Sequence, residues 1–226
     1  MSDDAGTTAE SIWGYPSIGE SRWPAAAAVA VALAIQALLP DKLTFGPRYI
    51  LPALEALLLI GLMVANPTKL DRTSRDMRIL SLTLIGLVNL ANLISLALLV
   101  HQLLGGHVSN GHALIRAGVG IWLTLTIVFG LWYWEMDRGG PMARLKANHA
   151  APDFYFPQME NPGLAKGPWA PSFFDYMYTA LTNSTAFSPT DSLPLTMRAK
   201  ALMGIQGIAS LATIAIVGAR AVNILK

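Results

Sequence analysis

Hydrophobic and polar positions along this chain separate into blocks instead of alternating, with long apolar runs divided by shorter polar links. A hydrocarbon layer of roughly 30 Å needs about 20 mostly apolar helical residues. Five runs come near that requirement: Trp23–Pro40, Tyr49–Ala65, Ile79–Leu104, Ala113–Trp134 and Ala201–Val222. The first has no charge, but its Ala-rich core is a little short, so it should stand upright or be extended at its ends. The second is interrupted only by Glu55, and the third is the longest and most apolar. The pattern predicts an all-α polytopic membrane protein with about five transmembrane helices.

The link from residue 135 to 198 is far longer than the turns elsewhere. Six prolines lie between Pro141 and Pro171, so most of that stretch is expected to be irregular surface. Its character then changes. Ser172 precedes Asp175 by three residues, a helix-start signal in which side-chain oxygens satisfy exposed backbone N–H groups. Phe173 to Thr185 follows as a helix of about three and a half turns, too short and too polar to span. Pro189 lacks an N–H and disfavours helix in the residue before it, so the helix should break into an extended segment. A half-length helix followed by extended polar backbone is tolerated at membrane depth only inside protein or beside a water-filled cavity. The expected element is a re-entrant, pore-like helix.

From Asp175 through Asp191, Pro194 and Arg198, this stretch resembles the pore region of tetrameric potassium channels, in which a pore helix leads into T-T-V-G-Y-G-D and a proline follows the aspartate by three. Asp191 and Pro194 keep that offset, and Arg198 stands where the family often has a basic residue opening the inner helix. The resemblance covers roughly residues 120 to 225. It implies a pore helix at 172–185, a filter-like segment at 185–191, an inner helix at 199–222 and a homotetramer around a shared axis. Residues 185–191 read Thr185, Ala186, Phe187, Ser188, Pro189, Thr190 and Asp191, so both filter glycines and the tyrosine are replaced. A ladder of backbone carbonyls needs conformations that glycine tolerates and other residues mostly do not, which argues against potassium selectivity. A narrow ring would then be built from the hydroxyls of Thr185, Ser188 and Thr190, with Phe187 as a hydrophobic constriction. Hydroxyls both donate and accept, so they leave the sign of the ion open.

Other polar positions carry two readings each. Gln206, Ser210 and Thr213 share one face of the last helix, either lining a conduit or bonding packed helices, where Gly204, Gly207 and Gly218 would allow close approach. Glu55 is the only acid deep in an otherwise uninterrupted span. It is a proton or ion site, or it lies about one turn inside the boundary and reaches outward. Asn89 and Asn92 share a face and are expected to bond between helices. His101, His107 and His112 surround one turn at offsets that do not favour a metal, so solvated turn residues are expected. Trp122, Trp132, Tyr133, Trp134, Trp169, Tyr176 and Tyr178 match interfacial anchors.

Composition narrows the function classes. The chain is 53% hydrophobic and 13% charged, against about 25% charged for a soluble domain. A net charge of +2 is a small excess with no basic patch, so nucleic acid is not an expected partner. The absence of cysteine removes disulfides and thiolate metal sites. No glycine-framed nucleophile, phosphate loop or paired-His motif is present, and no enzyme, cofactor or metal is expected. Residues 1–22 form a polar tail without the positive region of an export signal. Residues 23–112 form a three-helix membrane region, and 113–226 a channel-like module.

Of the sixteen Lys and Arg, ten fall in the tail, the 66–78 link and the 135–198 link and an eleventh, Lys200, directly follows that link, against five elsewhere. That bias assigns those three segments to the cytoplasm, opposite to the outward-facing pore loop that the resemblance implies. The expected function is an ion channel-like protein of the cell membrane, self-associating in the lipid bilayer. The alternative is a secondary transporter or proton-coupled carrier using Glu55.

Overall fold

The computed structural model describes residues 20–44, 47, 49–65, 75–105, 111–144, 151–161, 163, 169–185 and 192–224. Helices dominate them: α1 (Trp23–Leu38), α2 (Ile50–Ala65), α3 (Arg75–Leu104), α4 (Gly111–Met136), the single turns α5 (Pro141–Arg144) and α6 (Pro157–Glu160), α7 (Phe173–Thr185) and α8 (Met197–Ile224). Two short strands, β1 (Phe154–Tyr155) and β2 (Leu193–Pro194), pair antiparallel. The fold is all-α in architecture. Helices α3, α4 and α8 are long and apolar enough to cross a membrane. α1 and α2 are equally apolar but have 16 residues each, about 24 Å of helix.

α1 opens on Pro24, whose missing N–H costs nothing in a first turn, and stops where Leu39 turns extended before Pro40. α7 begins and ends where the sequence predicts. α8 starts earlier than expected, because Thr196 Oγ1 accepts from the Ala199 N–H at 3.3 Å and caps an added turn.

α4 is the central element, touching α1, α3, α7 and α8. Close approach to α4 comes from its own glycines. A Cβ on Gly130 would meet Met177 Sδ at 3.0 Å and its Cα at 3.2 Å, and one on Gly118 would meet Val217 Cγ2 at 2.7 Å. Gly204, Gly207 and Gly218 have no such neighbour within 4 Å among the described residues, where the close approaches fall on the α4 glycines instead.

The long link also differs from expectation. Phe154 and Phe156 are buried in its middle and their rings pack on Tyr176, with Tyr133 against Phe154 and Trp169 against Phe156. Aromatic area of this size lies in the core because burying it stabilises by several kcal/mol, on the order of 25 cal/mol per Å². Tyr133, Trp134 and Tyr176 are likewise interior groups and not anchors, while Tyr178 is exposed.

Candidate functional site

The site is built on α7, which runs parallel to α8 and antiparallel to α4. Its first turn is fixed twice. Asp175 Oδ2 accepts from the Ser172 N–H at 2.7 Å and from the Ser172 hydroxyl at 2.8 Å, so the predicted start signal forms. Glu20, from before α1, accepts the next free donor, the Phe173 N–H, at 2.5 Å. Carboxylates are favoured at a helix N-terminus, where unpaired N–H groups concentrate positive charge.

Inside the bundle, Ser210 Oγ donates to the Ser184 carbonyl at 2.5 Å, Trp122 Nε1 donates to Ser210 Oγ at 2.7 Å, and the Thr126 hydroxyl lies 3.0 Å from Ser184 Oγ. Ser210 is thirteen residues beyond Met197, so the end of α7 lies about 20 Å below the start of α8. Yet β2 is back at the level of the α8 start, hydrogen-bonded to β1. The chain therefore enters and returns at one end of the bundle between Ser172 and Pro194. Thr185 closes α7 with its hydroxyl on the Thr182 carbonyl at 2.9 Å. Ala186, Phe187, Ser188, Pro189, Thr190 and Asp191 lie outside the described residues.

The polar stripe of α8 faces inward. Gln206, Ser210 and Thr213 are 0%, 1% and 2% exposed. Gln206 Nε2 donates to the Ala180 carbonyl at 2.8 Å and to Ser184 Oγ at 2.6 Å, while its Oε1 accepts from Tyr133 and, at 2.8 Å, from Asn183 Nδ2. That uses the amide's two donors and two acceptor sites in full. Thr213 donates to Ala209 in its own helix at 2.7 Å. Among the described residues the stripe binds α7 to α8 and α4. The face that α8 leaves uncovered carries Ile205, Ile208, Leu211 and Ile214.

An ionic lattice closes the entrance end. After α4 the backbone turns sharply through Arg138 (φ +52°), Gly139 (φ +84°) and Gly140 (φ +98°). Asp137 is fully buried. It accepts from the Asp153 N–H at 2.7 Å and from the Tyr176 hydroxyl at 2.6 Å. Asp153, also buried, takes a bidentate pair from Arg198, both at 2.7 Å, and the Thr196 hydroxyl at 2.6 Å. Arg144 donates to the Trp134 carbonyl at 2.7 Å and to Glu20 at 3.2 Å, and lies over the Tyr176 ring. Burial works against its charge, but the oxygens of Tyr176, Glu20 and Asp137 outweigh that and hold its pKa above the ordinary value.

Glu20, Tyr133, Asp137 and Asp153 were not legible as site residues, because each partner lies far away in the sequence. The one local hint is the Asp137-Arg138-Gly139-Gly140 run, which signals a turn.

Glu55 does not reach outward. It is buried between α1, α2 and α3. Asn92 bonds between helices as expected, Nδ2 to the Ile121 carbonyl at 3.1 Å. His101 and His112 are exposed, His107 lies outside the described residues, and among those described no group of His, Cys, Asp and Glu could hold a metal. Comparison of the chain with protein-family models, curated proteins and solved structures gives no match.

Proposed function

We propose that this chain is an integral protein of the cell membrane that conducts ions as an oligomer, with α7, the 185–191 segment and α8 forming a re-entrant pore module. One observation carries the reading: α7 goes about 20 Å into the bundle and the chain returns to the end it entered from. In lipid, such a return requires shelter by protein or water, since hydrocarbon cannot satisfy its backbone.

Neighbouring copies would supply that shelter. The exposed face of α7 carries Phe174, Tyr178 and Leu181, and that of α8 is apolar from Ala201 to Ala219, below the exposed Arg198 and Lys200 of its first turn. A homotetramer follows the potassium-channel resemblance, whereas potassium selectivity does not, because the filter glycines are absent. Five crossings bring residue 22, residue 75 and the 135–198 link to one end, the end with eleven of the sixteen Lys and Arg. By the positive-inside rule that end is cytoplasmic, so the module enters from the cytoplasmic face, inverted relative to potassium channels.

Purified protein in planar bilayers should pass current, with a selectivity that changes on substituting Ser188, Pro189 or Thr190. Cysteines placed at Tyr178 and Leu181 should cross-link copies into multimers. Silence at all voltages and pH values, together with a monomer in detergent, would remove the reading. The burial of the Glu55 carboxylate favours a second one, an ion-coupled carrier. Glu55→Gln separates them: a carrier loses coupled transport, and a pore on 185–191 changes little.

A further inference from the structure

We infer that the space between α1, α2 and α3 around Glu55 is a binding site for one small monovalent metal cation of the sodium class, held by side-chain oxygens of Gln36, Glu55 and Asn92. The three residues are 4%, 0% and 0% exposed and come from three different helices.

Their depth agrees. Val29, Leu62 and Leu84 line one groove between the same helices nearer the entrance end. From that level Gln36 lies seven residues further along α1, Glu55 seven residues back along α2, and Asn92 eight residues further along α3. Because α2 is antiparallel to the other two, all three steps lead the same way, inward by about 10–12 Å.

The hydrogen bonding sorts donors from acceptors. Gln36 Nε2 donates to the Val88 carbonyl at 3.1 Å, and Asn92 Nδ2 donates to the Ile121 carbonyl at 3.1 Å. Both amides thus commit nitrogen to backbone. Gln36 Oε1, Asn92 Oδ1 and both Glu55 carboxylate oxygens meet no hydrogen-bond donor among the described residues. Asn89 Oδ1 and Thr124 Oγ1 are also without a partner among them. An unmet buried acceptor costs about 1–3 kcal/mol, and an unmet buried carboxylate more.

Counting decides what meets these atoms. A proton on Glu55 neutralises the carboxyl but donates a single hydrogen bond, which leaves an amide oxygen unmet. A hard cation accepts several oxygen ligands at once, and carbonyl and carboxylate oxygens are the ligands such cations prefer. The site offers one negative charge. A monovalent ion balances it, whereas a divalent ion would leave net charge in a low-dielectric interior. No residue of α7 takes part, so the site stands apart from the pore reading.

The test uses the full chain in detergent, with NaCl exchanged against choline chloride at constant ionic strength. The thermal midpoint should rise and saturate with sodium, and sodium-22 binding should approach about one ion per chain, as a single site requires. Glu55→Gln keeps the side-chain shape, and Gln36→Leu removes a neutral ligand. Both should fold and lose the sodium-dependent rise and the bound isotope. A wild-type midpoint indifferent to the choice of sodium or choline would overturn the site, as would full sodium dependence in Glu55→Gln. Absence of current in bilayers has no bearing on either result.

Discussion

Around Gln206, every donor and acceptor of the amide meets a partner on α4 or α7, whereas around Glu55 four side-chain oxygens share one depth and find no donor among the described residues. Both clusters are buried in apolar surroundings, and both join three helices. The difference lies in completeness. A network with each member satisfied fixes one arrangement of its helices, since any slip strands a buried polar atom. At Gln206 this holds α7, a helix of thirteen residues, at a defined depth. Near Glu55 the two amide nitrogens tie α1 to α3 and α3 to α4, but the carboxylate on α2 meets no donor among the described residues, so it does no such locking. The α4–α7–α8 region therefore has its buried polar groups matched, whereas the α1–α3 region keeps buried acceptors that the proposed cation would meet.

The largest expected effect comes from breaking the finished region at its entrance. Asp137→Ala would strand the buried Asp153 N–H and Tyr176 hydroxyl together, and we expect a loss of about 3–5 kcal/mol, read as a fall in thermal midpoint of the detergent-solubilised protein. A change under 1 kcal/mol would show that the lattice does not hold the entrance. Next, Gln206→Leu removes the hub of the interior network and should cost about 2–3 kcal/mol, because Asn183 and Tyr133 lose their acceptor. Limited proteolysis should then cut more readily between residues 185 and 193 than in wild type.

The smallest effect gives the sharpest comparison, because one substitution takes opposite signs in the two regions. Gly130→Ala drives a methyl into Met177 and should destabilise by about 1–2 kcal/mol. Gly86→Ala, on α3 with nothing within 4 Å of the added carbon, should stabilise by about 0.5–1 kcal/mol through helix propensity alone. Equal effects at the two glycines would erase the distinction between tight and open packing.

Much of the helical layout was legible before folding. Apolar runs located the five long helices, and the Ser172–Asp175 pair marked the start of α7, because capping chemistry acts within a turn. The polar stripe of α8 was visible as a stripe, but its direction was not. Periodicity places Gln206, Ser210 and Thr213 on one face without saying what that face meets. The same limit applies to Tyr133 and Tyr176, whose amphipathic rings suit a membrane boundary and a hydrogen-bonded interior equally well.

From sequence alone came where the five long helices lie, to within a turn at their ends, and which residues share a face; three of the five are long and apolar enough to cross a membrane. These depend on interactions a few residues apart. Only the tertiary structure decided that Glu20 adds a second carboxylate to the helix start that Ser172 and Asp175 mark, that Asp153 pairs with Arg198, that α4 contributes the glycines packed against α7 and α8, and that Glu55 points inward. Each joins groups distant along the chain, and the choice among such partners is made by packing, which leaves one set of contacts possible at a time.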